Sequence, residues 1–156
     1  MDDSERRCIV MFLTRKNHIT AEWINTLLIN VIKNLPIEYN AYVEQINDGI
    51  IEKVYKQGFA STVQPNYIGF GYDKRIVSKY DKLGKIDPVV IDKLDLTEGF
   101  ILSGIEIYNI KEKRYIEIEL YFADGLIAGI DSAVRLDMIS FDYEKILIKK
   151  LVKRET

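Results

Sequence analysis

The stretch from Phe100 to Ser132 constrains the fold more than any other part of the chain, because apolar and polar residues alternate along most of it. Such alternation is typical of β-strands that bury one face and expose the other. Lys111-Glu112-Lys113 and Asp124-Gly125 divide the stretch into three parts, and Asp-Gly between apolar runs is a strong hairpin signal. The sequence therefore predicts an antiparallel meander of three strands.

A turn at Glu112-Lys113 assigns each side chain of the first hairpin to one of two faces. In this register Glu106 lies opposite Glu119, and a slide of two residues along one strand leaves the faces unchanged. One face is apolar and is predicted to be core; it holds Ile105, Ile107, Ile116, Ile118, Leu120 and Phe122. The other face carries Glu106, Tyr108, Tyr115, Glu117, Glu119 and Tyr121.

The N-terminal half contains one clear amphipathic helix. Apolar residues recur at helical spacing from Trp23 to Leu35, Thr20 is suited to cap the N-terminus, and Pro36 follows the end. We expect Trp23 to be largely buried and to face the sheet, together with Leu27 and Val31.

Other segments are less clearly patterned. Residues 39–55 favour a second helix, although Asn47-Asp48-Gly49 also suits a hairpin turn. Residues 59–80 read as irregular strand, and residues 144–152 suit a basic amphipathic helix and an edge strand equally well. Two further elements are predicted, a buried strand over 8–14 and a short helical turn over 89–94.

Helical segments come first and the meander comes later, without βαβ alternation. This order predicts an α+β fold in one domain over residues 1–156. We expect an antiparallel sheet with the meander in its C-terminal half, and one or two helices from the N-terminal half packed on one face.

Composition excludes several functional classes. The net charge of −2 favours neither nucleic acid nor an anionic membrane as a partner. One cysteine, Cys8, and one histidine, His18, exclude a disulfide framework and a metal site built on Cys or His. We therefore expect no cofactor and no metal, with a site built only from Asp and Glu oxygens as the open alternative. We also expect a cytoplasmic protein, because no apolar run approaches the length of a membrane span.

Two common motifs of catalytic and nucleotide-binding sites are absent from the sequence. There is no Gly-x-Ser-x-Gly nucleophile elbow and no phosphate-binding loop. Gly69-Phe70-Gly71 supplies half of a dinucleotide-binding fingerprint, but Lys74 replaces the third glycine, and a lone Gly-x-Gly is more typical of a bulge or turn. We therefore expect no catalytic residue.

The face that carries Tyr and Glu has two interpretations, a merely solvated surface or a protein-binding surface. Tyrosine is enriched at interface hot spots, and carboxylates suit a basic partner. The six candidate partner-binding residues are Glu106, Tyr108, Tyr115, Glu117, Glu119 and Tyr121. A second candidate is the acidic stretch with Asp81, Asp87, Asp92, Asp95 and Glu98.

In size, mildly acidic balance, lack of catalytic residues, tyrosine content and a meander with a strand that ends in Asp124-Gly125-Leu126-Ile127, the chain resembles the small immunity proteins of bacterial toxin–immunity systems. The resemblance implies a protein without a cofactor that binds a cognate protein toxin tightly. We expect a non-catalytic protein, a monomer or weak homodimer, that occludes this toxin. Two alternatives stay open. One is a small enzyme or ligand-binding domain with a carboxylate-based site between Tyr67 and Tyr80. The other is a structural subunit that assembles through the meander or the C-terminal tail.

Overall fold

The structure is a computed structural model that describes residues 18–19, 21–56, 66–84 and 99–155. These residues confirm the α+β class, with helices mostly in the N-terminal half and strands mostly in the C-terminal half. In chain order the elements are β1 (His18–Ile19), α1 (Ala21–Ile32), a 3-10 turn (Ile37–Tyr39), α2 (Asn40–Asn47), β2 (Ile51–Lys56), β3 (Ile68–Tyr72), α3 (Lys74–Lys82), β4 (Gly99–Asn109), β5 (Arg114–Ala123), β6 (Leu126–Ser132), a second 3-10 turn (Leu136–Met138) and β7 (Phe141–Glu155).

The described strands form one antiparallel sheet in the order β1-β2-β3-β6-β5-β4-β7. The predicted meander is confirmed, because β4, β5 and β6 are consecutive in the chain and adjacent in the sheet. Strand β3 adds to β6 on one side, and β7 adds to β4 on the other.

The two turns of the meander differ in how well the sequence predicts them. Asp124 and Gly125 have φ values of 52° and 84°, as a two-residue turn with both φ positive requires. The first connection is instead four residues long, and Asn109 pairs with Arg114 across it. The predicted register is therefore wrong by two residues, and Glu106 lies opposite Glu117.

The predicted core face is confirmed. All six of its residues are at most 5% exposed, and they belong to one cluster of buried side chains that includes Leu27 and Val31 of α1. Trp23 is only partly buried and stacks on Phe141 of β7, with ring centroids 6.4 Å apart and an angle of 8° between the ring planes. Helix α1 therefore packs on the core face as predicted, with Trp23 at its margin.

Residues 39–55 form neither the single helix that the sequence favours nor a hairpin. Helix α2 ends at Asn47, and Asp48 and Gly49 turn the chain into strand β2. Gly49 has a φ of 87°, which suits glycine and stops the helix. The spacing of apolar residues is similar on both sides of this turn, which is why the pattern alone favoured one long helix.

The sequence predicts irregular strand over residues 59–80, and this is wrong from Lys74 onward, where helix α3 begins. Asp73 caps its N-terminus by accepting a hydrogen bond from the backbone N–H of Arg75 at 2.9 Å. Val77 and Tyr80 form its buried side.

The C-terminal segment is an edge strand of the described sheet rather than a helix. β7 pairs with β4 in three segments, which are separated by irregularities between Ser103 and Ile105 and between Ile107 and Tyr108 of β4. Gly104 of β4 makes one of them possible: its φ is 86°, and a Cβ there would lie 2.0 Å from the carbonyl oxygen of Lys150. The predicted elements at 8–14 and 89–94 lie outside the described residues.

Candidate functional site

The six residues predicted to bind a partner lie on one face of the sheet, opposite the core. They alternate along β4 and β5 with buried core residues, so their side chains point away from α1 and α2. We call this surface the outward face; on β4 and β5 it consists of Glu106, Tyr108, Tyr115, Glu117, Glu119 and Tyr121.

A pair of tyrosines lies at one end of the outward face. Tyr108 and Tyr115 are directly opposite each other on β4 and β5, and their rings meet edge to face with centroids 5.1 Å apart. The ammonium group of Lys145 lies 4.4 Å from the centre of the Tyr108 ring, a cation–π contact. Tyr115 is 37% exposed, so this pair offers both a fixed geometry and an accessible ring.

A second tyrosine pair lies further along the same face. Tyr121 of β5 meets Tyr67, which precedes β3, edge to face with centroids 5.0 Å apart. Tyr67 lies across Gly129 of β6, where a Cβ would be 2.2 Å from the Tyr67 hydroxyl oxygen. The pKa of Tyr67 is raised to about 12, mainly by burial and further by the negative charges of Tyr121 and Asp131.

Sequence reasoning missed Tyr67 as a member of this face. A signal was present in Gly69 and Gly129, which pair across β3 and β6 and leave space for an aromatic ring. Gly71 has a similar role, because a Cβ there would lie 2.9 Å from the ring of Tyr55 on β2. The Gly69-Phe70-Gly71 motif is therefore strand backbone overlaid by tyrosines, rather than a turn.

The carboxylates of the outward face are partly neutralised by the edge strand. Lys149 of β7 lies 3.2 Å from a carboxylate oxygen of Glu106, and Arg154 of β7 is ion-paired with Glu119. The face is consequently less acidic than β4 and β5 alone indicate. Glu117 is exposed and has no ion pair or hydrogen bond among the described residues.

Asp131 is a further carboxylate of this face that the sequence analysis did not select. It lies opposite Glu119 in the β5–β6 ladder. Its Oδ1 atom is buried and accepts no hydrogen bond from any described residue. Burial raises the pKa of Asp131, although a backbone hydrogen bond from Ser132 opposes the change.

The second candidate surface is mostly outside the described residues. Asp81 lies in α3 and is partly exposed, whereas Asp87, Asp92, Asp95 and Glu98 fall within a range that is not described. Nothing in the structure therefore brings these five residues together.

The stretch from Tyr67 to Tyr80, considered for a carboxylate-based active site, uses its polar groups to hold the fold. Tyr72 donates a 2.6 Å hydrogen bond to the carbonyl oxygen of Ile127, and burial raises its pKa. Tyr80 donates to Asp48, and Asp73 caps α3. These hydrogen bonds join β3 and α3 to neighbouring elements.

A shallow pocket of about 280 Å³ lies on the core side, where α1 meets the start of β7. Its walls include Trp23, Phe141 and Tyr143, and its one carboxylate, Asp137, is paired with Arg135 at 3.0 Å. The pocket is small for a ligand site and its charge is already compensated.

No group of three or more His, Cys, Asp or Glu residues in the described ranges is arranged to hold a metal ion. None of the described helices combines the length and apolar character needed to cross a bilayer. Comparison of the chain with protein-family models, with curated proteins and with solved structures finds no match.

Proposed function

We propose that this protein is a non-catalytic inhibitor that binds another protein through the outward face of its sheet. The observation that carries the proposal is the arrangement of tyrosines there: two ring pairs, Tyr108 with Tyr115 and Tyr67 with Tyr121, on either side of a group of carboxylates. Tyrosine combines a large apolar area with a polar tip and is enriched among residues that dominate binding energy.

The geometry favours tight binding because these rings are already ordered. Each tyrosine of a pair restricts the other, and Tyr67 is further fixed over Gly129. A side chain that is immobile before association loses little conformational entropy when the complex forms. The sheet beneath supplies a rigid support, since the core residues between the tyrosines are almost fully buried.

The partner that we propose is a bacterial protein toxin, and the protein is its immunity protein. Support comes from the resemblance in size, acidic balance and meander, together with a face that mixes tyrosines with carboxylates. An immunity protein of this kind acts in the cytoplasm, where it covers the toxin surface that would bind substrate. Charge attraction would speed the encounter, and the desolvated tyrosines would slow release.

The proposal is tested with the protein encoded by the gene immediately upstream, which we call the neighbouring-gene protein. It is expressed in cells with and without this chain. We expect that protein to stop growth alone and this chain to restore growth. The purified proteins should then form a complex that survives gel filtration. Rescue without a complex would contradict occlusion and would favour the enzymatic alternative, and absence of both would contradict the toxin–immunity assignment.

A further inference from the structure

Two neighbouring rows of opposed carboxylates cross the outward face, and in each row one carboxylate is ion-paired with a cation of β7 among the described residues. In the first row Glu106 lies opposite Glu117, and Lys149 is bonded to Glu106 alone. Like charges directly opposite each other in a sheet are destabilising, and one lysine compensates only one of them. Glu117 therefore contributes an uncompensated negative charge within the described structure.

The second row of opposed carboxylates lies two residues further along β5. Glu119 lies opposite Asp131, and Arg154 is ion-paired with Glu119 alone. The Oδ1 atom of Asp131 is buried without a hydrogen bond, so this carboxylate lacks both a cation and full hydrogen bonding among the described residues. The residue as a whole is partly exposed, and a carboxylate forms stronger hydrogen bonds with a cationic donor than with a neutral one.

Glu117 and Asp131 are diagonal neighbours on β5 and β6, because Ser132 lies opposite Ile118. Diagonal positions on one face of an antiparallel pair are about 7–8 Å apart. The tyrosine pair Tyr108–Tyr115 lies on one side of these two carboxylates and the pair Tyr67–Tyr121 on the other. Both carboxylates are thus placed between the aromatic groups expected to contact a partner.

We infer that the partner presents two basic side chains about 7–8 Å apart, one for Glu117 and one for Asp131. This inference rests on the proposed function and specifies the chemistry of the partner at the same face. Arginine suits both positions, because its planar guanidinium group bonds a carboxylate through two N–H groups and stacks on tyrosine.

The test measures the dissociation constant of the complex with the neighbouring-gene protein by titration calorimetry. Three variants remove a charge with little change of shape: Glu117→Gln, Asp131→Asn and the double variant. Glu38→Gln is the matched control, because Glu38 is an exposed glutamate in the 3-10 turn between α1 and α2, on the other side of the sheet. We expect each single substitution to weaken binding about tenfold and the double variant about 100-fold, with a smaller dependence on salt. The control should stay within about twofold of the wild type.

A double variant that binds within about threefold of the wild type contradicts this inference. Tyr115→Ala then separates the two claims. If Tyr115→Ala weakens a complex that the double variant leaves intact, the inference fails and the proposed function stands. If wild-type protein does not bind, or if neither set of substitutions has an effect, the proposed use of this face fails as well.

Discussion

Arg154 on the edge strand β7 is ion-paired with Glu119 on β5, although β4 lies between these two strands. The arginine side chain therefore crosses the outward face of β4 and connects strands that share no backbone hydrogen bonds. Lys149 makes the corresponding contact from β7 to Glu106 on the adjacent strand β4. Glu106 and Glu119, which the sequence analysis assigns to a partner-binding surface, thus also hold the edge strand in place.

This contact predicts that two glutamates of the same strand respond differently to charge reversal. Glu119→Lys should lower the free energy of unfolding by about 1 kcal/mol, because it removes an ion pair and places two cations together. Glu117→Lys should leave the free energy unchanged or raise it slightly, since it puts a cation opposite Glu106. Urea denaturation of both variants measures the difference, and equal losses would contradict the assigned ion pairs.

Asp131→Asn should stabilise the protein at neutral pH. The folded state raises the pKa of Asp131 above the ordinary value of 3.8, so its charge opposes folding once both states are ionised. The gain should be present at pH 7 and should vanish as the pH falls below about 3.8, where the carboxyl is neutral in both states. Thermal unfolding across this range is the measurement, and a lower melting temperature at pH 7 would show that the charge has a stabilising partner.

The contribution of Asp48 to the free energy of unfolding should depend on pH in the opposite sense to that of Asp131. Hydrogen bonds from Tyr80 and then Lys79 hold its pKa below the ordinary value of 3.8 in the folded protein. Its contribution to stability is therefore present above pH 3.8 and is lost as the pH falls through the lower, folded-state pKa. Comparing Asp48→Asn with the wild type should give a difference in unfolding free energy at pH 7 that shrinks in acid. A difference that is independent of pH would exclude the carboxylate as its source.

Trp23→Ala should destabilise the protein by about 3 kcal/mol, the lower end of the range for large aromatic deletions, because Trp23 is only partly buried. The loss comes from the stack on Phe141, which fixes α1 against β7. Trp23→Phe keeps an aromatic ring there and should cost clearly less. Guanidinium denaturation followed by circular dichroism measures both, and a loss below about 1 kcal/mol for Trp23→Ala would mean that the stack contributes little.

The sequence predicted the meander and α1 because their patterns are local and strong. Alternation from Phe100 to Ser132 and the Asp124-Gly125 turn leave few other arrangements. The register of the first hairpin was wrong because Ile110 to Lys113 all lie in the turn, and Asn109 accepts a hydrogen bond from the backbone N–H of Lys111. The turn of four residues, in place of the predicted turn at Glu112-Lys113, shifts the pairing by two residues.

Residues beyond the meander show what single-sequence patterns leave open. Helix α3 depends on the Asp73 cap and on burial of Tyr80 against Asp48, a contact between residues far apart in the chain. The outward face was predicted in part: its six residues on β4 and β5 share one side as expected. Tyr67 joins them through the β3–β6 pairing, which the sequence did not predict. Asp131 joins them through the predicted β5–β6 hairpin, although the sequence analysis did not select this residue.

The central claim is that the outward face binds the partner, and its most direct test is the affinity of Tyr115→Ala for the neighbouring-gene protein. Ile37→Ala is the matched control, because Ile37 is an apolar residue that is 84% exposed between α1 and α2, on the opposite side of the sheet. We predict that Tyr115→Ala weakens the complex by about 2 kcal/mol while Ile37→Ala changes it by less than about 0.5 kcal/mol. An unchanged affinity for Tyr115→Ala, or a larger loss for Ile37→Ala, would contradict the account and place the interface elsewhere.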